Sequence, residues 1–290
     1  MSGAPAPESS AERFVDLHMH STASDGVLPP AGVVAAARAA GLSAIALTDH
    51  DTVDGIAEAR TAGEALGVRV IAGIELSAHE GDRELHVLGL HLTRLGSLEE
   101  RLVALRATRR IRAAQIVEKL RALGFPIELE AVWREAGEGA VGRPHVARVL
   151  IANGWVKDHR DAFDRLIGSG RPAYVPKQRL PLPDAVHMLR EAGGLAIIAH
   201  PGSDGSRTRL EMLKRIGFDG VEVRHPSHTV EDIARLGTLA DYLGLVPSGG
   251  SDWHGAAEGP RTIGNMRVPY AWLERQDSLV RERSTSERVA

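Results

Sequence analysis

The sequence predicts an α/β fold, a mostly parallel sheet or barrel interrupted by a helical stretch, and three observations carry that prediction. Short apolar runs alternate with helix-compatible segments in both the first and the last third of the chain. Between them, from residue 97 to about 179, the apolar period is helical with no intervening strand. Polar His, Asp and Glu residues recur where the apolar runs end, as on the rim of a parallel barrel, where the loops converge. A chain of 290 residues can hold this as one domain with an insertion, because alternating barrels commonly run to about 250 residues as one unit.

Residues 1–12 are rich in Ala, Pro and Ser and read as a flexible leader, not a signal peptide, because no basic stretch precedes an apolar core. Residues 13–96 read as the first part of the barrel. In Asp16-Leu17-His18-Met19-His20, strand alternation puts Asp16, His18 and His20 on one face and Val15, Leu17 and Met19 on the other. The Ala-rich stretch 30–40 reads as a helix ending at Gly41, and 43–47 as a strand closing on Thr48-Asp49-His50-Asp51. A helix over 53–66 stops at Gly67, a buried strand over 68–74 runs into Glu75, and a strand over 85–92 carries His86. Within 97–179, helices are expected over 98–123, 129–136, 144–153 and 161–167. The first bears Arg106, Arg109, Arg110 and Arg112, either a solvated face or an anion-binding surface. Strands at 195–199, 220–223 and 245–246 end on His200, on Arg224-His225 and ahead of Asp252 and His254, giving a second barrel part over 180–275. Residues 276–290 read as a charged, frayed tail.

Apolar residues make up 43% of the chain, enough for a sizeable core. A formal charge of −3 supplies no long-range attraction for a polyanion, so any such binding has to come from a local patch. The absence of cysteine removes disulfides, thiolate nucleophiles and sulfur-ligated zinc together. No apolar run approaches the roughly 20 residues of a membrane span. Neither a membrane nor an obligate protein partner is indicated, and a soluble cytoplasmic protein is expected. The recurring histidines and carboxylates point to a metalloenzyme with nitrogen and oxygen ligands, which suit manganese, iron or zinc, with manganese the expectation. Asp16 either orients one of the neighbouring histidines or makes an ordinary hydrogen bond at the strand end.

Taken together, Asp-Leu-His-Met-His-Ser followed by Ser-Asp-Gly, then Thr-Asp-His-Asp, Gly-Ile-Glu-Leu-Ser, His-Val-Leu-Gly, Ala-His-Pro and Ser-Asp-Trp-His resemble the polymerase and histidinol phosphatase (PHP) family of metal-dependent phosphoesterases, over residues 14–268. The stretches Val141-Gly-Arg-Pro-His-Val-Ala-Arg, Pro172-Ala-Tyr-Val-Pro-Lys177 and Val221-Glu-Val-Arg-His-Pro-Ser-His228 are similar to its bacterial phosphatases of nucleoside 3',5'-bisphosphates. Some of those also act on short RNA from its 5' end. The resemblance implies a distorted (β/α)7 barrel, amidohydrolase-like, with a mainly helical, substrate-capping insertion over 97–179. It also implies three divalent ions. His18, His20 and Asp252 would hold the first with one arm of Glu75. The other arm of Glu75, with His86 and His200, would hold the second, and Asp25, His50 and His254 the third.

Three such ions outweigh three carboxylates and a bridging hydroxide by two positive charges, which a phosphate monoester at about −1.5 to −2 balances. The expected reaction is attack of a metal-bridging hydroxide on phosphorus, with no covalent intermediate. It would release the 3'-phosphate of a nucleoside 3',5'-bisphosphate and leave the 5'-monophosphate. The alternative is 5'-to-3' exoribonuclease action on short RNA; a histidinol phosphatase and a non-catalytic metal-binding module rank below it. Arg143, at a helix start ahead of Pro144, is the first candidate to grip a second phosphate, with Lys177 and His228 behind it. His225 either donates a proton to the leaving oxygen or contacts phosphate directly, and Asp51 either serves the leaving group or fixes its loop.

Overall fold

The computed structural model describes residues 12–137, 141–176 and 179–289, apart from the side chains of Arg106 and of residues 287–289; Lys177 lies outside the described residues. Eight strands form one sheet: β1 (Phe14–Met19), β2 (Ala44–Leu47), β3 (Arg69–Glu80), β4 (Arg83–Leu90), β5 (Leu195–Ile198), β6 (Gly220–Arg224), β7 (Val246–Gly249) and β8 (Val268–Pro269). Their order is β7-β6-β5-β4-β3-β2-β1-β8. Beyond β7 the chain returns to β1: the Asp252 amide donates to the His18 carbonyl at 2.9 Å, and the His20 amide to the Trp253 carbonyl at 3.0 Å. These bonds nearly close the expected seven-stranded barrel, with β8 added outside β1. Gly250 allows the approach, since a Cβ there would sit 2.5 Å from His18 Cβ and 2.7 Å from Asp16 Oδ1.

The helices among the described residues are α1 (Pro30–Ala39), α2 (Ile56–Leu66), α3 (Leu95–Ala122), α4 (Leu129–Ala136), α5 (Arg143–Ala152), α6 (His159–Ala162), α7 (Leu182–Glu191), α8 (Arg207–Ile216), α9 (Val230–Leu243) and α10 (Tyr270–Val289). Their ends follow local chemistry. Pro30 opens α1 at a position needing no amide donor, Thr229 and Asp232 cap the start of α9 reciprocally, and α2, α8 and α9 stop at Gly67, Gly217 and Gly244 in left-handed conformation. Val33, Ile56, Leu189, Leu213 and Leu236 of the flanking helices pack on Ile45, Ile74, Val87, Ile198 and Val221 of the strands. A second cluster, including Leu17, Ala46, Ile71, Leu88 and Ile197 with Leu273 of α10, fills the barrel.

Among the described residues, α3 to α6 share a core of their own. Ile116, Val117 and Leu120 of α3 pack with Val132 of α4, with Val146 and Leu150 of α5, and with Ile167, which ends a π-helical turn over Phe163–Ile167.

Three expectations need correcting. First, β4 is antiparallel to both β3 and β5, so the sheet is mixed. Second, β1 does not alternate simply: Asp16 pairs with Ile45 and Met19 with Leu47, three steps against two, so a bulge lies between them. Asp16 and Met19 therefore share the face of Ile45 and Leu47, and Asp16 does not share one with His18 and His20. Third, the expected frayed tail continues α10 to Val289; Gln276 is fully buried and donates to the Pro247 carbonyl at 2.8 Å, and Arg283 pairs with Asp219.

Candidate metal centre

The site forms where β1, β2, β5 and β7 end, around Glu75 in the middle of β3 and His86 near the start of β4. Strand ends turn sharply here: Asp51, His200 and Asp252 all have positive φ, a conformation costly for residues with a Cβ and therefore held by their surroundings. His86 arrives differently. It sits near the start of reversed β4, opposite Ser77, so a strand entering the barrel at this rim delivers it to the same place. The loop after β1 is tied down by Asp49, which accepts from the Ser21 amide at 2.7 Å and from the hydroxyls of Ser21 and Ser24. That brace presents Asp25.

Glu75 is the hub. Its Oε1 lies 2.9 Å from His86 Nδ1 and 3.2 Å from His200 Nε2. Its Oε2 lies 3.1 Å from His18 Nε2, 3.2 Å from His20 Nε2 and 3.4 Å from His50 Nδ1. Asp252 Oδ1 stands 3.4 Å from His18 Nε2 and 3.3 Å from His20 Nε2. Asp25 Oδ1 is 3.3 Å from His254 Nε2, and His20, Asp25, His50 and His254 form one compact donor group. All nine residues expected to hold metal are thus brought together.

Whether this donor set fits cations can be judged from its own atoms. Donor separations of 2.9 to 3.4 Å match edges of a coordination polyhedron with ligand bonds of about 2.0–2.2 Å. His20 is fully buried, yet neither ring nitrogen makes a hydrogen bond, a costly state unless a lone pair is used otherwise. His18 Nδ1 lies 2.9 Å from Glu222 Oε1, which leaves Nε2 facing the carboxylates. Two acceptors facing each other need a positive charge between them. In the metal-free protein a proton serves: burial pushes His18 down, but the charges of Glu75 and Glu222 outweigh it and hold the ring well above its usual range. Burial likewise raises Asp25, but the His254 hydrogen bond and the nearby histidines bring it to about 2. The donor set fits divalent cations.

Glu222 was not among the sequence candidates. It is fully buried; one oxygen orients His18, the other accepts from the His200 amide at 2.6 Å, and the charges of His18 and His225 outweigh burial to hold it at about 2. It takes the part considered for Asp16, whose carboxylate instead accepts the Ser251 amide at 2.9 Å and the Gly264 amide at 3.1 Å. The available signal was a carboxylate between Val221 and Val223 in an apolar strand. Arg261 was also missed; it lines the cavity of about 280 Å3 over the cluster and contacts Asp252 Oδ2.

His225 Nδ1 accepts from the Ser227 amide at 3.1 Å, so the ring proton sits on Nε2, 3.2 Å from Asp252 Oδ2. Asp51 accepts the Ser77 amide at 3.0 Å and pairs with Arg109, the arrangement of a carboxylate fixing its surroundings. His228 donates from Nδ1 to the Val223 carbonyl at 2.9 Å and accepts the Gly202 amide on Nε2 at 3.0 Å, which leaves neither nitrogen for a phosphate. It braces a turn instead of binding substrate. Arg143 starts α5 with its guanidinium 5.1 Å from the Phe163 ring centroid and 5.7 Å from that of Tyr174. Arg112 donates to the Val175 carbonyl at 2.8 Å, next to the Tyr174 ring that Arg143 faces, and burial together with the charge of Arg143 lowers its pKa.

A barrel whose rim carries a dense cluster of His and carboxylate donors that fits divalent cations defines a class of metal-dependent hydrolases. The PHP domain model matches residues 16–169, and the chain belongs to that family. It is 38% identical over 258 residues to a 3',5'-nucleoside bisphosphate phosphatase of Chromobacterium violaceum, covering 87% of this chain and 90% of that protein. It is 37% identical to a 5'-3' exoribonuclease of Haemophilus influenzae, covering 89% and 92%. Among solved structures it is similar to an amidohydrolase from Chromobacterium violaceum with bound sulfate and no metal, with TM-score 0.70 and 33% identity over 90% of this chain and 96% of that one.

Proposed function

We propose that the protein is a metal-dependent phosphoesterase that removes the 3'-phosphate of nucleoside 3',5'-bisphosphates, giving the nucleoside 5'-monophosphate and phosphate. One observation carries the reading: the two oxygens of Glu75 each gather their own nitrogen donors, while Arg143 and Arg112 both meet the 174–175 segment, at the Tyr174 ring and the Val175 carbonyl, and offer charge for a second anion. The similarity to the bisphosphate phosphatase points the same way.

The donors sort into three sets, one with His18, His20 and Asp252, one with His86 and His200, and one with Asp25, His50 and His254, with Glu75 shared by the first two. We assign each set a divalent ion, manganese by preference. Such ions supply Lewis acidity at the phosphoryl oxygens and make hydroxide accessible from water near neutral pH. The residues do the rest. His225 lines the cavity with its proton on Nε2, shared with Asp252 Oδ2 at 3.2 Å, and serves as a hydrogen-bond donor to a phosphoryl oxygen. Arg261 adds a fixed cation where negative charge accumulates. Arg143 and Arg112 hold the second phosphate, for which guanidinium geometry is suited. Residues 97–179 act as a capping unit, between barrel parts 13–96 and 180–275.

The test is hydrolysis by manganese-reconstituted protein, read as phosphate release from adenosine 3',5'-bisphosphate, histidinol phosphate and an aryl phosphate, and as nucleoside 5'-monophosphate release from a short 5'-phosphorylated RNA. The bisphosphate is expected to give the highest kcat/KM, with heavy oxygen from solvent found in the phosphate. Label in the nucleoside, or histidinol phosphate ranking first, contradicts the reading. RNA ranking first favours the second reading, exoribonuclease action, which the Haemophilus relative supports.

A further inference from the structure

Two arginines that reach the rim are neutralised there: Arg109 pairs with Asp51 and Arg261 with Asp252. Arg143 is held otherwise. Among the described residues no carboxylate pairs with it; its guanidinium lies over the rings of Phe163 and Tyr174, 5.1 and 5.7 Å from their centroids, and Nη1 lies 3.4 Å from the Ile167 carbonyl oxygen. Ring faces attract a cation without cancelling its charge and without tying it to one atom pair. Arg143 is thus oriented and still carries a full charge for an anion.

All three contacts come from residues 163–174, where the backbone is unusual. Phe163–Ile167 form the π-helical turn, closed by the Gly168 amide, which donates to the Phe163 carbonyl at 2.9 Å. Such turns are rare and concentrate at functional sites. Gly168 permits the closure, since a Cβ there would sit 2.3 Å from the Phe163 carbonyl oxygen. The rest of the segment is tied down around it: the Ala173 amide donates to the Leu166 carbonyl at 2.9 Å, Lys119 Nζ to the Tyr174 carbonyl at 2.7 Å, and Arg112 to the Val175 carbonyl at 2.8 Å. We propose that the π-helical turn, with the rings of Phe163 and Tyr174, is a cradle that positions Arg143 to grip the second phosphate of a bisphosphate substrate. Phe163 and Tyr174 are positioning residues: they act through the guanidinium, and they leave its remaining N–H groups to the anion. The proposal rests on the phosphoesterase reading.

Two variants test it: Phe163→Leu removes one ring and keeps an apolar side chain, and Gly168→Ala forces the π-helical turn open. Each is assayed on adenosine 3',5'-bisphosphate and on an aryl phosphate, alone and combined with Arg143→Ala. Alone, each is expected to raise KM for the bisphosphate about three- to tenfold with kcat little changed, the scale of a cation held over a ring, while kcat/KM for the aryl phosphate stays within about twofold. Combined with Arg143→Ala, neither should add to the loss that Arg143→Ala causes by itself, because the effect runs through that guanidinium. Phe163→Tyr keeps the ring and should recover most of the loss seen with Phe163→Leu. Equal losses on both substrates, losses that add to those of Arg143→Ala, or no change on either substrate overturn the cradle and leave the phosphoesterase reading standing. Should Gly168→Ala not fold, Phe163→Leu decides, and Tyr174→Leu serves in its place if that variant does not fold. Should no ester be hydrolysed, the phosphoesterase reading fails, and calorimetric titration with adenosine 3',5'-bisphosphate still decides: binding weakened by Phe163→Leu alone, but not further beside Arg143→Ala, supports the cradle, and absent or unaltered binding overturns it.

Discussion

The barrel rim and the helical stretch hold their functional side chains in opposite ways. On the rim, His18, His20, Glu75 and Glu222 are buried, and His18 lies within 3.1 Å of both Glu75 and Glu222. On the helices, Arg112 and Arg143 are part-buried and rest on backbone carbonyls and aromatic rings, over a core of their own. The first arrangement is preorganised and suits chemistry, where misplaced charge is expensive. The second can adjust to what it grips and suits selectivity.

That division can be broken most sharply at Glu75. Glu75→Gln should lower kcat by about 10²–10³-fold or more, the scale of one preorganised electrostatic group, and should weaken metal binding in equilibrium dialysis. Retained activity would remove the rim from the chemistry. Glu222→Gln touches no substrate in this account; it loosens His18, and metal affinity is expected to fall about 10–100-fold. Arg143→Ala should raise KM for a bisphosphate about tenfold with little change for a monophosphate, because only one of the two carries the second anion. Equal effects would erase the contrast between the regions.

The smallest effect lies away from both. Arg69 of β3 makes two hydrogen bonds of 2.7 Å to Asp277 of α10. Burial raises the Asp277 carboxyl, but Arg69 outweighs it and holds it below the ordinary 3.8. A depressed carboxyl stabilises above its unfolded pKa, and that contribution is lost as pH falls through the folded value. Asp277→Asn should therefore cost less than about 1 kcal/mol at neutral pH in denaturant titration, with the deficit fading in acid. A deficit unchanged by acid would point to packing instead.

Much of this was legible in the sequence, for physical reasons. The 3.6-residue period located α3 and α4, and His18, His20, His50, Glu75 and His200 stood out as polar groups closing apolar runs. Other features are set by pairing between distant segments. The direction of β4 depends on its neighbours, so the reversal that brings His86, near the start of its strand, to the rim was not foreseen. The bulge in β1 is a register fact, invisible to alternation, and it moved Asp16 to the other face. Glu222 hid within Val221 and Val223, where a carboxylate in a buried strand was itself the signal. The pairing of Asp51 with Arg109 joins residues with no local relation. Helix α10 looked like a tail because few of its residues beyond Leu273 and Gln276 face the barrel.

The most direct test of the central claim is anomalous scattering from crystals equilibrated with manganese. The account predicts peaks on both sides of Glu75, roughly 2.0–2.2 Å from each of its oxygens and within reach of His18 and His20 on one side and His86 and His200 on the other. Peaks confined to one oxygen, or none near Glu75, would contradict it.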